Sequence, residues 1–215
     1  MSYPVNLTVK GRPAVVVGAG NVASRKVRDL LEAGADVTVM APSVCAEIAE
    51  LAGAGRILLL RGPYSTEGLR GAFLAIAATD DEELNARISR DAQALGILIN
   101  VVDRPALCTF TLPAVVRRGD FAVTISTEGQ SPALASIMRE ELSGVFGPEW
   151  AKAAQAFGEI RREMMARGWT SEAIREASRR LYDGGIVEMI RASDQAALAA
   201  LVHTALGTDF PAPEI

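Results

Sequence analysis

The stretch Val15-Val16-Val17-Gly18-Ala19-Gly20-Asn21-Val22-Ala23-Ser24-Arg25-Lys26 reads as a buried strand, a glycine turn and the opening of a helix. Gly18 suits the tight turn, Gly20 lets a backbone approach a pyrophosphate, and Ala23 stands where a small residue allows close helix–strand packing. The helix N-terminus then offers free N–H groups and a partial positive charge to phosphates. Glycine turns join strands to helices in many α/β proteins, so the surroundings decide the reading. An apolar β-branched strand precedes the turn. An amphipathic helix follows over residues 22–33, with Val22, Val27, Leu30 and Leu31 on its inner face, and Gly34 stops it. A second strand spans residues 36–40. This is a βαβ unit of the length a nucleotide site needs.

Working outward, the spacing predicts a helix over 44–52, strands over 56–60 and 73–77, a helix opening at Thr79-Asp80-Asp81-Glu82-Glu83 and running to Leu95, and a strand over 97–102. Acids in the first turn suit the helix dipole, and a continuous apolar strand suits burial on both faces. Alternation of this kind gives an α/β fold with a Rossmann-like, doubly wound parallel sheet. After Asp103-Arg104-Pro105 the pattern changes. Strands are expected over 109–112 and 121–127, the simplest arrangement being an antiparallel extension of the sheet, with a turn at Arg118-Gly119-Asp120. A helix follows over 133–146, and then helices over 150–167, 171–182, 186–191 and 193–206. The expected parts are a nucleotide domain over 1–112, a small β–α unit over 113–147 and an all-helical C-terminal domain over 148–215.

Composition narrows the function classes. The chain has 215 residues, 49% of them hydrophobic, with a formal net charge of −4. A nucleic-acid partner would need a basic stripe, which is missing. No apolar run approaches the roughly 18 to 20 residues that span a bilayer, and Met1-Ser2-Tyr3-Pro4 has no signal-peptide character, so a cytoplasmic protein without a membrane partner is expected. Cys45 and Cys108 form no C-x-x-C pair and read as free thiols. One histidine, His203, and two scattered cysteines make a preformed metal cage an unpromising expectation.

Catalytic groups discriminate among enzymes that share such a domain. Short-chain dehydrogenases need Tyr-x-x-x-Lys, but Tyr3, Tyr64 and Tyr182 are followed four residues on by Leu7, Gly68 and Ile186. His203, far along the helical tail, is a poor acid–base. Asp103 is the remaining candidate. It follows Ile99-Asn100-Val101-Val102 at the C-terminal end of a strand, where open α/β sheets bind ligands, and a carboxylate there can act as general base. Asp before Arg-Pro is also a common turn opener, so position alone leaves both readings open. Ser126-Thr127-Glu128-Gly129-Gln130-Ser131-Pro132 is a second glycine turn before a helix, able to hold carboxylates or phosphates, or to be a plain turn. Arg104, Arg117, Arg118 and Arg139 flank these segments and would suit a polyanionic substrate. The second strand ends Met40-Ala41-Pro42-Ser43 without the usual ribose-binding acid. Ser43 or backbone near Pro42 can serve instead, and the sequence alone does not choose between NAD and NADP.

Several motifs at matched spacing resemble the precorrin-2 dehydrogenase family, the sirohaem-synthase module that oxidises precorrin-2 to sirohydrochlorin. They are Gly18 to Lys26, Ala77-Ala78-Thr79-Asp80, Leu84-Asn85, Asn100-Val101-Val102-Asp103, Cys108-Thr109-Phe110, and Ile125-Ser126-Thr127 through Ser131-Pro132-Ala133-Leu134-Ala135. The similarity runs from Tyr3 to about Arg139, and the helical tail matches only in length and character. The resemblance implies NAD as cofactor, with contacts at Asn21, Val22, Pro42 and Ser43; Gly18 and Gly20 of the turn and Thr79 are the further cofactor-site candidates. It implies Asp103 as the catalytic residue. It implies a carboxylate-rich tetrapyrrole, precorrin-2, for which Arg104, Arg117, Ser126, Thr127, Ser131 and Arg139 are the candidate ligands. It also implies a homodimer through the middle unit. The position matching Thr127 is a serine in some bifunctional members. No resident metal is expected, and metal insertion into the product stays open. Two other readings remain at this point: a non-catalytic NAD(H) sensor, and a chelatase or tetrapyrrole carrier.

Overall fold

The computed structural model describes residues 2–215. By contacts the chain divides into two compact units, one ending at Leu112 and one running from Pro113 to Ile215. The N-terminal unit is built on five strands: β1 (Pro13–Val17), β2 (Asp36–Ala41), β3 (Leu58–Arg61), β4 (Leu74–Ala77) and β5 (Leu98–Val101), in the order β3-β2-β1-β4-β5. All neighbours are parallel, and the register pairs Val17 with Met40 on one side and with Ala77 on the other. The winding direction reverses between β1 and β4. That makes the crevice beyond their C-terminal ends the topological switch point.

Alternation along β1 feeds both faces of this sheet. Ala14 and Val16 enter a core with Val37, Val39, Ile48 and Ile76. Val15 and Val17 enter a second core with Ala75, Ile88, Ile99 and Val101. Three helices cover the sheet: α1 (Asn21–Glu32), α2 (Ala46–Gly53) and α3 (Glu82–Ala94). On α1, Ala23, Val27 and Leu30 are buried at helical spacing. The small Ala23 side chain, fully buried, lets the helix lie close on the strands. One polar node ties α3 to the connection before β4. The Tyr64 and Thr66 hydroxyls both donate to Asp91, at 2.9 and 2.8 Å. Burial pushes the Tyr64 phenol up to about 12, reinforced by its bond to Asp91. The Thr66 hydroxyl, with Tyr64 and Arg87, holds the Asp91 carboxyl below its ordinary range.

The C-terminal unit opens with an antiparallel hairpin, β6 (Ala114–Arg118) and β7 (Phe121–Ile125), joined at Gly119, whose φ is 57°. Five helices follow: α4 (Pro132–Val145), α5 (Glu149–Ala166), α6 (Ser171–Asp183), α7 (Ile186–Ala192) and α8 (Gln195–Leu206). Ala156, Ile160, Met164, Leu181, Ile186, Leu198, Val202 and Phe210 form their core. Phe121, Phe146, Trp150 and Tyr182 stack in a chain with ring centroids 4.8 to 6.5 Å apart. Arg191 pairs with the Glu149 carboxylate at 2.8 Å and holds it below the usual range.

The expected fold class, a doubly wound parallel sheet followed by a small β–α unit and a helical region, is what the chain adopts. Three local expectations are corrected. Residues 109–112 are not a strand. The Thr109 N–H donates to the Ile99 carbonyl and the Thr109 hydroxyl accepts from the Ile99 N–H, so a single residue, through backbone and side chain, replaces a ladder, and Pro113 has no N–H to continue one. β6 and β7 pair only with each other and do not extend the parallel sheet. The third strand begins at Leu58, not Arg56, because the Arg56 N–H is spent closing α2 against Leu51 O.

Candidate active site

At the switch point the chain turns at Gly18, where φ is 107°. A Cβ there would run into the Ala78 carbonyl. Only glycine satisfies both constraints. The turn is clamped on both sides: the Gly18 N–H donates to Met40 O at 2.9 Å, and the Ala78 N–H donates to Val17 O at 2.8 Å. Gly20 precedes α1 with ordinary backbone angles, and a Cβ there would meet nothing within 4 Å. No side chain caps the helix, and no acid stands in its first turn. The first N–H to be bonded within the chain is that of Ser24, to Gly20 O. The result is an open cradle of unused N–H donors with a bare approach over Gly20. Those are the properties a dinucleotide pyrophosphate requires, and the residues fit the cofactor that the sequence implies.

The neighbouring strand ends complete this rim. Thr79 follows β4, its hydroxyl 2.8 Å from the Asn85 side chain, which returns a bond from its amide to Thr79 O at 2.8 Å. Buried Asn85 therefore fixes the loop from α3, and the helix itself is capped by Asp81, whose carboxylate accepts from the Leu84 N–H. Pro42 and Ser43 are exposed just past β2.

Asp103 lies one turn beyond β5, in the left-handed region at φ 57°. Aspartate tolerates that region better than most residues, and backbone strain of this kind gathers at functional sites. The turn is over-determined. The Val102 N–H donates to Ala77 O and the Arg104 N–H to Val101 O. The Cys108 sulfur accepts from the Val101 N–H at 3.1 Å and lies 3.4 Å from Arg104 O. The Ser89 hydroxyl, on α3, donates to Leu107 O at 2.7 Å. The carboxylate itself stays exposed, free to exchange a proton with a ligand.

Asp103 and Val102 share an open cleft of about 520 Å³ with Val22, Arg25, Lys26 and Asp29 of α1. Gly18, Gly20, Asn21, Val22, Pro42, Ser43, Thr79 and Asp103 thus all stand at one edge of the parallel sheet. Arg104 is beside them, its guanidinium engaged with Glu82. Arg25 and Lys26 were legible only as part of the glycine-turn motif, not as site residues. Their spacing from Val22, at i+3 and i+4, puts them on one helix face, but only the fold shows that this face looks onto Asp103.

The remaining candidates belong to the C-terminal unit. Ser126, Thr127 and Ser131 come together in a turn before α4. Their hydroxyl oxygens accept from the N–H groups of Glu128, Ser131 and Leu134 at 3.1 to 3.2 Å, which leaves each hydroxyl proton available. Arg117 is not with them: it pairs with Ala122 at the turn end of the hairpin, about 13 Å along the strand from Ser126 at ~3.3 Å per residue. Arg139 is exposed on α4, with Glu140 at 3.9 Å. Among the described residues no group of three or more His, Cys, Asp or Glu could hold a metal, and no helix is long and apolar enough to cross a membrane.

Comparison with known proteins bears on this geometry. A family model described as putative NAD(P)-binding matches residues 5–114, and one described as sirohaem biosynthesis protein central matches residues 118–144. Siroheme synthase of Ectopseudomonas mendocina (strain ymp) is 50% identical over 139 residues, which is 65% of this chain and 30% of that protein. Siroheme synthase of Stutzerimonas stutzeri (strain A1501) is 38% identical over 212 residues, 98% of this chain and 46% of that protein. The chain spans less than half the length of these two relatives. The solved structure of SirC, precorrin-2 dehydrogenase, superposes with a TM-score of 0.74 at 27% identity, covering 95% of this chain and 98% of that one.

Proposed function

This chain belongs to the NAD(P)-binding family of the sirohaem-synthase dehydrogenase module, and from that membership we propose that it oxidises precorrin-2 to sirohydrochlorin with NAD. The observation that carries the reading is the placing of an exposed, left-handed Asp103 on the same sheet edge as an uncapped, glycine-led helix N-terminus. NAD, when bound, accepts a hydride. The backbone N–H groups of Asn21 and Val22 would hold its pyrophosphate, Pro42 and Ser43 its ribose, and Thr79 the far wall of the site. The NAD(P)-binding family match over residues 5–114 and the likeness to SirC, precorrin-2 dehydrogenase, support this cofactor.

Oxidation of the macrocycle removes one hydride and one proton. Asp103 is the group that takes the proton, directly or through a water it orders. Its exposure lets it release that proton to solvent and return to the carboxylate for the next turnover. Arg104, Arg117, Ser126, Thr127, Ser131 and Arg139 are proposed to meet the acetate and propionate groups.

The reading includes a homodimer and a cytoplasmic setting. An apolar face on α4 supports the dimer: Leu134, Ile137 and Val145 are 49, 53 and 60% exposed, and burying them against a second copy would remove that surface from water. The decisive experiment is anaerobic incubation of the chain with precorrin-2 and NAD. NADH formation together with the sirohydrochlorin spectrum is expected; the appearance of neither overturns the assignment.

A further inference from the structure

On the reading just proposed, the outer stripe of α1 has a role that nothing above assigns. Val22, Arg25, Lys26, Arg28, Asp29 and Glu32 all line the cleft that holds Asp103, and all but Arg28 recur at i, i+3, i+4, i+7 and i+10. The stripe is ordered by charge. With Arg28 neutralised by Glu47, the remaining cations, Arg25 and Lys26, lie nearer the rim, and the acids Asp29 and Glu32 lie one to two turns below Arg25, about 6 to 10 Å at 1.5 Å per residue.

That order is the reverse of what a helix prefers. Acids stabilise a helix N-terminus and cations its C-terminus, yet α1 has no acid in its first turn and no base in its last. Reversal of a local rule without a compensating contact is a mark of function. The contacts agree. Arg28 is spent on Glu47 at 3.0 Å, whereas Arg25 and Lys26 have no hydrogen-bond or ion-pair partner among the described residues. Two unpaired cations thus lie across an open cleft from the proposed proton acceptor, and a ligand carboxylate would pair with them.

We propose that Arg25 and Lys26 bind the carboxylate side arms of the tetrapyrrole and set its edge against Asp103, so that they are substrate-specificity residues and not cofactor ligands. Arg25 presents a planar fork able to take one carboxylate at both oxygens, and Lys26 a point charge able to take a second. The acids below them close the cleft to further anionic arms.

The test uses sirohydrochlorin, titrated under anaerobic conditions into the full chain and followed by its absorbance, beside steady-state assays with precorrin-2 and NAD. The Arg25→Gln, Lys26→Gln double variant retains good helix formers and is expected to keep its thermal midpoint. Its Kd for sirohydrochlorin and KM for precorrin-2 should rise at least tenfold, with KM for NAD unchanged within twofold. Arg70→Gln, which removes an equal charge paired with Glu67 outside the cleft, should change neither. An unchanged sirohydrochlorin Kd in the double variant overturns the inference, and so does a parallel rise in KM for NAD, which would make the two cations cofactor ligands. Failure of the wild-type chain to reduce NAD with precorrin-2 would instead overturn the proposed activity, and the titration separates the two results.

Discussion

Two glycines two residues apart in the same loop, Gly18 and Gly20, have opposite reasons to be glycine. Gly18 has φ 107° and no room for a Cβ, whereas Gly20 has ordinary angles and open space. Gly18→Ala should therefore destabilise the chain by about 2 kcal/mol or more, combining backbone strain with a collision. Gly20→Ala should leave the thermal midpoint unchanged and raise the Kd for NAD at least tenfold, because its methyl group occupies the cofactor's approach. Thermal unfolding with NAD titration separates the two. At Asp103 the left-handed backbone allows a similar separation. Asp103→Asn keeps a side chain that tolerates φ 57° and should cost little stability, while turnover falls about 100-fold or more with loss of the base. Asp103→Ala should lose turnover and also about 1 kcal/mol, since alanine is strained there. Urea unfolding beside the NADH assay reads both. If Asp103→Asn retains full turnover, the proton acceptor lies elsewhere.

The elements show where sequence periodicity was sufficient and where it was not. β1, α1 and β2 follow from an apolar run, a glycine turn and apolar residues at helical spacing, because those residues make their own local structure. Residues 109–112 read as a strand because they are β-prone, yet in place of a ladder the Thr109 N–H donates to Ile99 O and the Thr109 hydroxyl accepts from the Ile99 N–H. No local pattern encodes that. Asp103 was legible as the end of a strand; its strain was not, since φ depends on the bonds that Cys108, Ser89 and Val101 make around it. The node between α3 and the β3–β4 connection was equally hidden, and it gives a pH signature. The Tyr64 phenol, 10.0 when unperturbed and about 12 here, holds its proton more tightly when folded. Its stabilisation is complete below pH 10 and is lost as pH rises from 10 towards 12. Asp91 behaves in the opposite sense: its carboxyl is lowered from 3.8, so its stabilisation is present above that value and is lost as pH falls below it. Tyr64→Phe should cost about 1 kcal/mol at neutral pH and flatten the alkaline limb. Urea midpoints measured across pH, with phenolate absorbance, check this.

At the scale of the whole molecule, the two compact units carry separate cores and separate parts of the proposed chemistry. Cofactor, base and the Arg25–Lys26 pair stand in the N-terminal unit; the Ser126–Ser131 turn and the apolar face of α4 stand in the C-terminal one. The Ser126–Ser131 turn was legible as a motif, but only the family resemblance tied it to a substrate and the middle unit to a second copy, because assembly leaves no periodicity in one chain; the apolar face of α4 came from the fold alone. Ile137→Lys places a charge on that face, 53% exposed at Ile137, and should shift the chain to a monomer in sedimentation while leaving the N-terminal unit's NAD affinity intact. A dimer that survives the substitution would assign its interface to another surface. The aromatic chain around Trp150 has a practical consequence for all these measurements. The chain has two tryptophans, Trp150 and Trp169, and both belong to the unit that begins at Pro113. Tryptophan emission is thus a private reporter of that unit's unfolding. A denaturation curve read by helical ellipticity that shows a second transition absent from the emission curve would show the two halves of the chain melting as independent bodies, and added NAD should then move that second transition alone.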